Sequence, residues 1–354
     1  MKNIDQLSRQ VLANCEISDA QHAGLYSICG LALRLRDLYK WEHGLAPWEE
    51  SDATLVLDWI GQKEELWERI ATDEYKALRL NGATFDPFDT VNINKILLPH
   101  GLFYGAGLAY HLKPCFLLAD IEAVETVEGK KIFVLGGELA RDLLTLPALT
   151  QDDAILLRTH ASRMHLWDQM IYLKKSGRGA LRFALDAAGI PSDEPSVLRH
   201  ALPRIWGHQR DTYIYHEIGE LHHDGFHRQV WSKIIADFPQ GVVGLLARAV
   251  KDILADTCPQ GTLHRMVETR NVVGLGLYVA FIDGLRATLL TELKPAFNAF
   301  RVHGDWSIIH GMINNNYKKT MATASSIEGI YTAGKQKHTL DWIDRTIRSE
   351  YLPR

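Results

Sequence analysis

The sequence is short of cysteine, has no surplus of charge of one sign and contains no long apolar run, and each shortage removes a class of protein. Four cysteines stand at 15, 29, 115 and 258, with no CxxC pair among them. That spacing excludes a zinc site built from closely paired thiolates and argues against a disulfide framework in a chain of 354 residues. Lys and Arg number 39 against 43 Asp and Glu, for a formal net charge of -4. No basic field is available to hold nucleic acid or an anionic membrane, so neither is expected as a partner. The longest apolar run, Val272 to Ile282, is about half of what spans a bilayer. The first twenty residues carry Lys2, Asp5, Arg9, Glu16 and Asp19, which leaves no apolar core for a secretory leader. A soluble, cytoplasmic chain is the expectation. No GxSxG elbow and no dinucleotide fingerprint is present. Gly101, Gly105 and Gly107 lack the Lys-Ser/Thr of a phosphate loop and follow no clear strand.

What is present is apolar content of 46%, enough to bury the core of one large domain or two medium ones. Most of the patterning is helical. From Ala20 to Trp41 apolar residues recur at three and four, with Ser18 or Asp19 placed to cap that helix. Residues 51–80 read as two further helices, and 81–113 as irregular. A β-hairpin follows, Phe116–Ile121 running toward Val127 and Lys131–Leu135 returning after the Glu128-Gly129-Lys130 turn. Helices are expected again at 138–146, 152–175 and 177–188. Gly189 to Ser196, with two prolines and no periodicity, reads as a linker. Beyond it, helices are expected near 196–204, 209–236, 241–255, 260–292, 306–322 and 338–350. The predicted fold is therefore mainly α, a multi-helix protein of two helical lobes with one small β-hairpin insertion near 115–136. Its domains would be 1–190, with the hairpin, and 191–354.

The run Asn14-Cys15-Glu16-Ile17-Ser18-Asp19-Ala20, followed by Leu31 to Glu42 (LALRLRDLYKWE), resembles an uncharacterised bacterial family, a domain of unknown function. That resemblance implies no activity and no site residues, so function has to come from the residues themselves.

Histidine supplies the candidate. There are sixteen, and five fall between His208 and His227. On one helix at about 100° per residue, His216, Glu220, His223 and His227 lie within roughly 60° of one another, a polar stripe three turns long. Residues at i and i+3 or i+4 can reach one ion, and imidazole with carboxylate suits a divalent metal, Fe, Zn or Mn. Glu220-x-x-His223 has the spacing of bundled di-iron sites, and His216-x3-Glu220-x2-His223 is similar to one ligand helix of haem-oxygenase-like di-iron oxidases. Such a site needs ligands from other helices, for which His160, His264 and Glu268 are candidates, with Asp283 and His310 behind them. Glu217, about 100° round the helix, would orient a ligand or act as the catalytic base.

Other readings stand beside this one. The histidines can form a metal-free polar or pH-responsive face of a non-catalytic scaffold or regulatory protein. Gly219 and Gly225 weaken the helix and can break the stripe. His216-Glu217 begins like HExxH but has Glu220 where the second histidine belongs. His223-Asp224 echoes the metal-bridging pair of HD-type phosphohydrolases, with His200 and Asp283 as partners. The expected partner is a small-molecule substrate or a protein. His160, on a largely apolar face, also reads as a satisfied core histidine.

Overall fold

The N-terminal half combines helices with an extensive sheet. The computed structural model describes residues 4–109 and 112–352; Lys2 and positions 110–111 of the stretch read as irregular lie outside them. The chain divides into two units, residues 1–168 and 169–354.

The first unit opens with three helices, α1 (Ile4–His22), α2 (Ile28–Glu42) and α3 (Ala53–Ile70). A short antiparallel ribbon follows, β1 (Leu78–Leu80) with β2 (Ala83–Phe85), and then α4 (Thr90–Leu97). Five strands come next: β3 (Leu102–Ala109), β4 (Lys113–Val127), β5 (Lys130–Arg141), β6 (Ala148–Gln151) and β7 (Ala154–Arg158). They form one sheet in the order β3-β4-β5-β7-β6, antiparallel except where β5 runs parallel to β7. Three register shifts between β4 and β5, from Leu118 to Ala123, bend the sheet. Leu7, Val11 and Cys15 of α1 pack on one face with Leu102, Tyr104, Phe116 and Leu118. Phe103, Leu117, Phe133 and Leu156 fill the other.

The expectation of a mainly α protein with one small hairpin near 115–136 is therefore wrong, and the reasons are local. β7 is four apolar residues closed by Arg158 and buried on both faces, and such a run shows no period of two. Merged with the following α5 (Thr159–Ile171), it read as part of a helix over 152–175. The end of β5 carries Glu138 and Arg141, both buried on a strand within the stretch expected to be helical at 138–146. β3 was hidden by its glycines. A Cβ on Gly105 would sit 2.7 Å from Cγ of Leu117, its register partner, so the glycine marks close cross-strand approach.

Ser18 and Asp19 also prove to be something other than caps. They lie inside α1, which runs unbroken past them. Ser18 Oγ donates to the Pro114 carbonyl, and Asp19 accepts the Leu143 N–H at 3.0 Å and pairs with Lys113 Nζ at 2.9 Å.

The outer edge of β3 is paired by side chains. The Asn94 carboxamide accepts from Tyr104 N and donates to Tyr104 O, both at 2.8 Å. Gln151, reaching across from β6, accepts from Ala106 N at 3.0 Å and donates to Tyr104 O at 3.2 Å.

The second unit is helical among its described residues. After α6 (Arg178–Ala187), residues 188–194 form an internal connection to α7 (Pro195–His222), which takes in Pro195 and Ser196 of the expected linker, and the division at 168/169 falls within α5. Then come α8 (Arg228–Asp237), α9 (Val242–Thr257), α10 (Thr262–Thr269), α11 (Val272–Phe281) and α12 (Gly284–Leu289). The last three are α13 (Leu293–His303), α14 (Trp306–Lys337) and α15 (Leu340–Tyr351). α9 is the central helix. Its Leu246, Val250 and Leu254 are buried with Ile234, Ala324, Ile327, Ile343 and Ile347 from α8, α14 and α15. No helix among the described residues is long and apolar enough to cross a membrane.

Candidate metal centre

The single helix expected to carry the whole histidine stripe does not form. α7 ends at His222, and His223 caps it in extended conformation. Gly225 is buried with its Cβ position 2.1 Å from Leu254 Cδ1, so this turn must sit where a side chain would collide with α9. His227 begins α8 as its cap residue, 84% exposed, with Nδ1 2.8 Å from Glu328. The four-residue stripe is thus reduced to His216 and Glu220, one turn apart.

What completes the cluster comes from α9, which crosses α7 closely. Gly219 makes that approach, since a Cβ there would stand 2.0 Å from the Ala255 carbonyl oxygen. The crossing brings Asp252 and Asp256, themselves one turn apart, up to His216. Ligand atoms of His216, Glu220 and Asp252 all lie within 4.8 Å of one another, and among the described residues no other three His, Cys, Asp or Glu side chains do so.

The surrounding bonds define the chemistry. His216 Nδ1 is 2.8 Å from Asp256 Oδ1, and its Nε2 faces Glu220 Oε1 at 3.9 Å. Asp256 is 1% exposed, and its second oxygen accepts from Tyr278 Oη at 2.7 Å and Arg286 at 2.5 Å. Lys251 Nζ holds Glu220 Oε2 at 2.5 Å. Asp256 therefore lies at the floor of the cluster, whereas His216 and Glu220 keep about a quarter of their side chains exposed, 25% and 27%.

Protonation follows from these contacts. Burial alone would lower the His216 pKa, but the charge and hydrogen bond of Asp256, with Glu220 and Asp252 beside it, push it up to about 10. Burial pulls the Asp256 carboxyl upward, yet Arg286 and His216 outweigh it and hold the group below its ordinary range. Glu220 is likewise held low against burial by Lys251 and His216. Asp252 goes the other way: burial, aided by Glu220 and Asp256, raises it despite His216 and Arg286. With all three carboxylates ionised, Lys251, Arg286 and a protonated His216 balance them.

The geometry also admits a cation in place of the His216 proton. A neutral imidazole donating Nδ1–H to Asp256 presents the Nε2 lone pair toward Glu220 and Asp252, the carboxylate–histidine arrangement that orients metal-bound imidazoles. One nitrogen and two carboxylates suit Zn, Mn or Fe(II). Ligand atoms around such an ion lie about 3 Å apart, so the trio must draw together by roughly an ångström or more at its widest separation.

The remaining sequence candidates are elsewhere. His223 Nδ1 accepts from Gly225 N at 3.2 Å, which places the proton of the neutral ring on Nε2, a buried atom without a hydrogen-bond partner. Burial and Lys251 hold its pKa down, to about 4. A ring bonded in this way offers no lone pair at Nε2. Glu217 lies half-buried outside the trio. His264 packs edge-on against His310 with ring centres 5.5 Å apart, and Glu268 is exposed and pairs with Arg265 at 3.8 Å. His160 belongs to α5 in the first unit, where burial lowers its pKa. Asp283 is exposed and pairs with Lys174 at 3.1 Å, His200 and Asp224 are exposed, and among the described residues no three of the HD-type set fall within ligating distance of one another. The residues that sequence reasoning missed, Asp252 and Asp256, did carry a signal: two aspartates one turn apart on a helix whose other charged residues are Arg248 and Lys251 alone.

Two family models match the chain. One, a family of unknown function (DUF6866) N-terminal domain, covers residues 6–158, and the corresponding C-terminal domain covers 163–350. No curated protein and no solved structure matches.

Proposed function

The chain belongs to the DUF6866 family of unknown function, so activity has to be argued from its own side chains, and we propose that the second unit binds one divalent cation through His216, Glu220 and Asp252. The observation that carries this reading is the His216–Asp256 bond at 2.8 Å, which orients Nε2 toward the two carboxylates. The partial exposure of His216 and Glu220 leaves coordination positions open to water or a substrate. A cation held in this way acts as a Lewis acid and lowers the pKa of bound water. Asp256, dry and tied to Tyr278 and Arg286, fixes the ring rather than the ion. The site is mononuclear in this reading, because neither His223 nor His227 joins it.

A second reading has its own support. Lys251 and Arg286 already neutralise two of the three carboxylates, and a proton on His216 neutralises the third, which makes a self-contained structural network. The two readings separate by pH, because a cation must displace the His216 proton. Titration of the full chain with Mn(II), following free Mn(II) by electron paramagnetic resonance, should give one saturable site per chain. Affinity should rise about 30-fold from pH 6.5 to pH 8, tenfold for each pH unit below the His216 pKa. Glu220→Gln with Asp252→Asn should abolish it. Absence of saturable binding at either pH, or binding that survives this double substitution, sinks the metal reading.

A further inference from the structure

The curled sheet of the first unit holds a partly open cavity of about 150 Å³ between β3, β4, β6 and β7. An apolar cavity of about that size accommodates a benzene ring. Leu117, Leu144, Leu146 and Leu149 supply apolar wall, and Arg158 supplies the charge. Residues two apart on a strand share a face, so Arg158 lies on the side of β7 that Leu156 and Ala154 present to Leu117 and Leu149.

Arg158 is 3% exposed and incompletely bonded. Its Nε donates to Glu138 Oε1 at 2.6 Å and Nη1 to the Leu144 carbonyl at 2.9 Å, while Nη2 is buried and donates to nothing. Among the described residues Glu138 is the one carboxylate within salt-bridge range of both Arg158 and Arg141, the latter at 3.6 Å, and both Nη atoms of Arg141 also lack hydrogen bonds. Two buried guanidiniums thus share one carboxylate at salt-bridge range, with Asp142 acting on both only at longer range, so their hydrogen-bonding capacity is left partly unused. Asp142 also lines the cavity, but its oxygens accept from Leu144 N at 2.8 Å, Phe116 N at 3.2 Å and Lys113 Nζ at 3.3 Å. Cys115 in the wall is held as a thiol by burial, so it brings neither charge nor a nucleophile.

The third observation is Gly107. It lines the cavity in β3 with no positive φ, and a Cβ there would meet nothing within 4 Å. Neither backbone conformation nor steric crowding requires a glycine at this position. Its face is that of Gly105 and Phe103, the one turned to Leu117, so a side chain would occupy the cavity. A strand glycine of this kind suits close approach of a ligand.

We propose that the cavity binds a small monocarboxylate with a compact apolar body, its carboxylate drawing the buried Arg158 Nη2 toward the cavity to accept from it and its body replacing the side chain absent at Gly107. The walls are too apolar for a phosphate, which carries more charge than one free donor satisfies.

The full chain is titrated calorimetrically with benzoate, with benzamide as the neutral isostere and with inorganic phosphate. Benzoate should bind at one site per chain, at least about tenfold tighter than benzamide, the discrimination of a single charge-assisted hydrogen bond. Gly107→Val fills the cavity without touching Arg158, so it should keep the thermal unfolding midpoint and lose benzoate. Arg158→Lys should weaken benzoate toward the affinity of benzamide. The proposal is overturned if benzoate does not bind, if benzoate and benzamide bind alike, if phosphate binds more tightly, or if benzoate affinity survives in a folded Gly107→Val.

Discussion

In the metal-free protein the proton on His216 should be visible as a slope of stability against pH. The ring's pKa is raised from 6.5 to about 10 by Asp256, against the pull of burial. A folded-state value above the unfolded one means that the folded form binds the proton more tightly. The contribution is complete below pH 6.5 and is lost as pH rises through about 10. At 1.36 kcal/mol per pKa unit the full amplitude is about 5 kcal/mol, an upper figure because the side chain is 25% exposed and solvent screens part of it. The perturbation is Asp256→Asn, which removes the carboxylate that His216, Tyr278 and Arg286 share. His216 should then titrate at or below 6.5, because burial is left opposed only by Glu220 and Asp252. Arg286 also loses its buried counter-ion, at a cost of about 3–5 kcal/mol. The assay is a ¹³C-histidine NMR titration of both proteins in chelator, paired with urea unfolding between pH 6 and 9.5. A wild-type His216 resonance that titrates near 6.5 would refute the reasoning, because the bond to Asp256 could then not be the charged one described.

Other outcomes follow from the packing. Gly219→Ala should destabilise the protein by about 2 kcal/mol or more through collision with the Ala255 carbonyl, and should weaken Mn(II) binding by moving α7 off α9. Gly207→Ala, on the same helix with nothing within 4 Å, should stabilise by about 0.5–1 kcal/mol. Urea denaturation of the two variants side by side tests both. Lys113→Met should cost about 3–5 kcal/mol, because Lys113 is the buried cation between Asp19 and Asp142; an unfolding midpoint like that of the parent would contradict that role. His227→Ala should leave both the unfolding midpoint and Mn(II) affinity unchanged, since its ring is 84% exposed and outside the trio.

How much could be read from the sequence depended on whether a residue's partners were near in the chain. α9 and α15, expected at 241–255 and 338–350, and the turn at Glu128-Gly129 are set by neighbours and were legible, whereas 260–292 proved to be three helices and α13 fell where none was expected. β7 was not legible, because an apolar strand buried on both faces carries no alternation. Ser18 and Asp19 looked like caps because small polar residues do cap helices, whereas their partners at Pro114 and Leu143 are remote in sequence. The same division runs through the site. The pairing of His216 with Glu220 is a property of one helix and was anticipated. The break at His223 depends on Gly225 meeting Leu254, and the roles of Asp252 and Asp256 depend on Gly219 letting two helices touch. Both are tertiary facts to which the period of 3.6 is blind.

The two carboxamides on β3 have a consequence for the protein's behaviour at high concentration. A sheet of five strands ends in bare peptide groups, and bare peptide groups recruit the strands of other molecules. Here Asn94 bonds both main-chain groups of Tyr104, and Gln151 crosses from the opposite margin to take Ala106 N and Tyr104 O. Two amide side chains thus stand in for a sixth strand at the point where polymerisation by edge pairing would begin, and the fold guards against fibril growth with residues too short to propagate it.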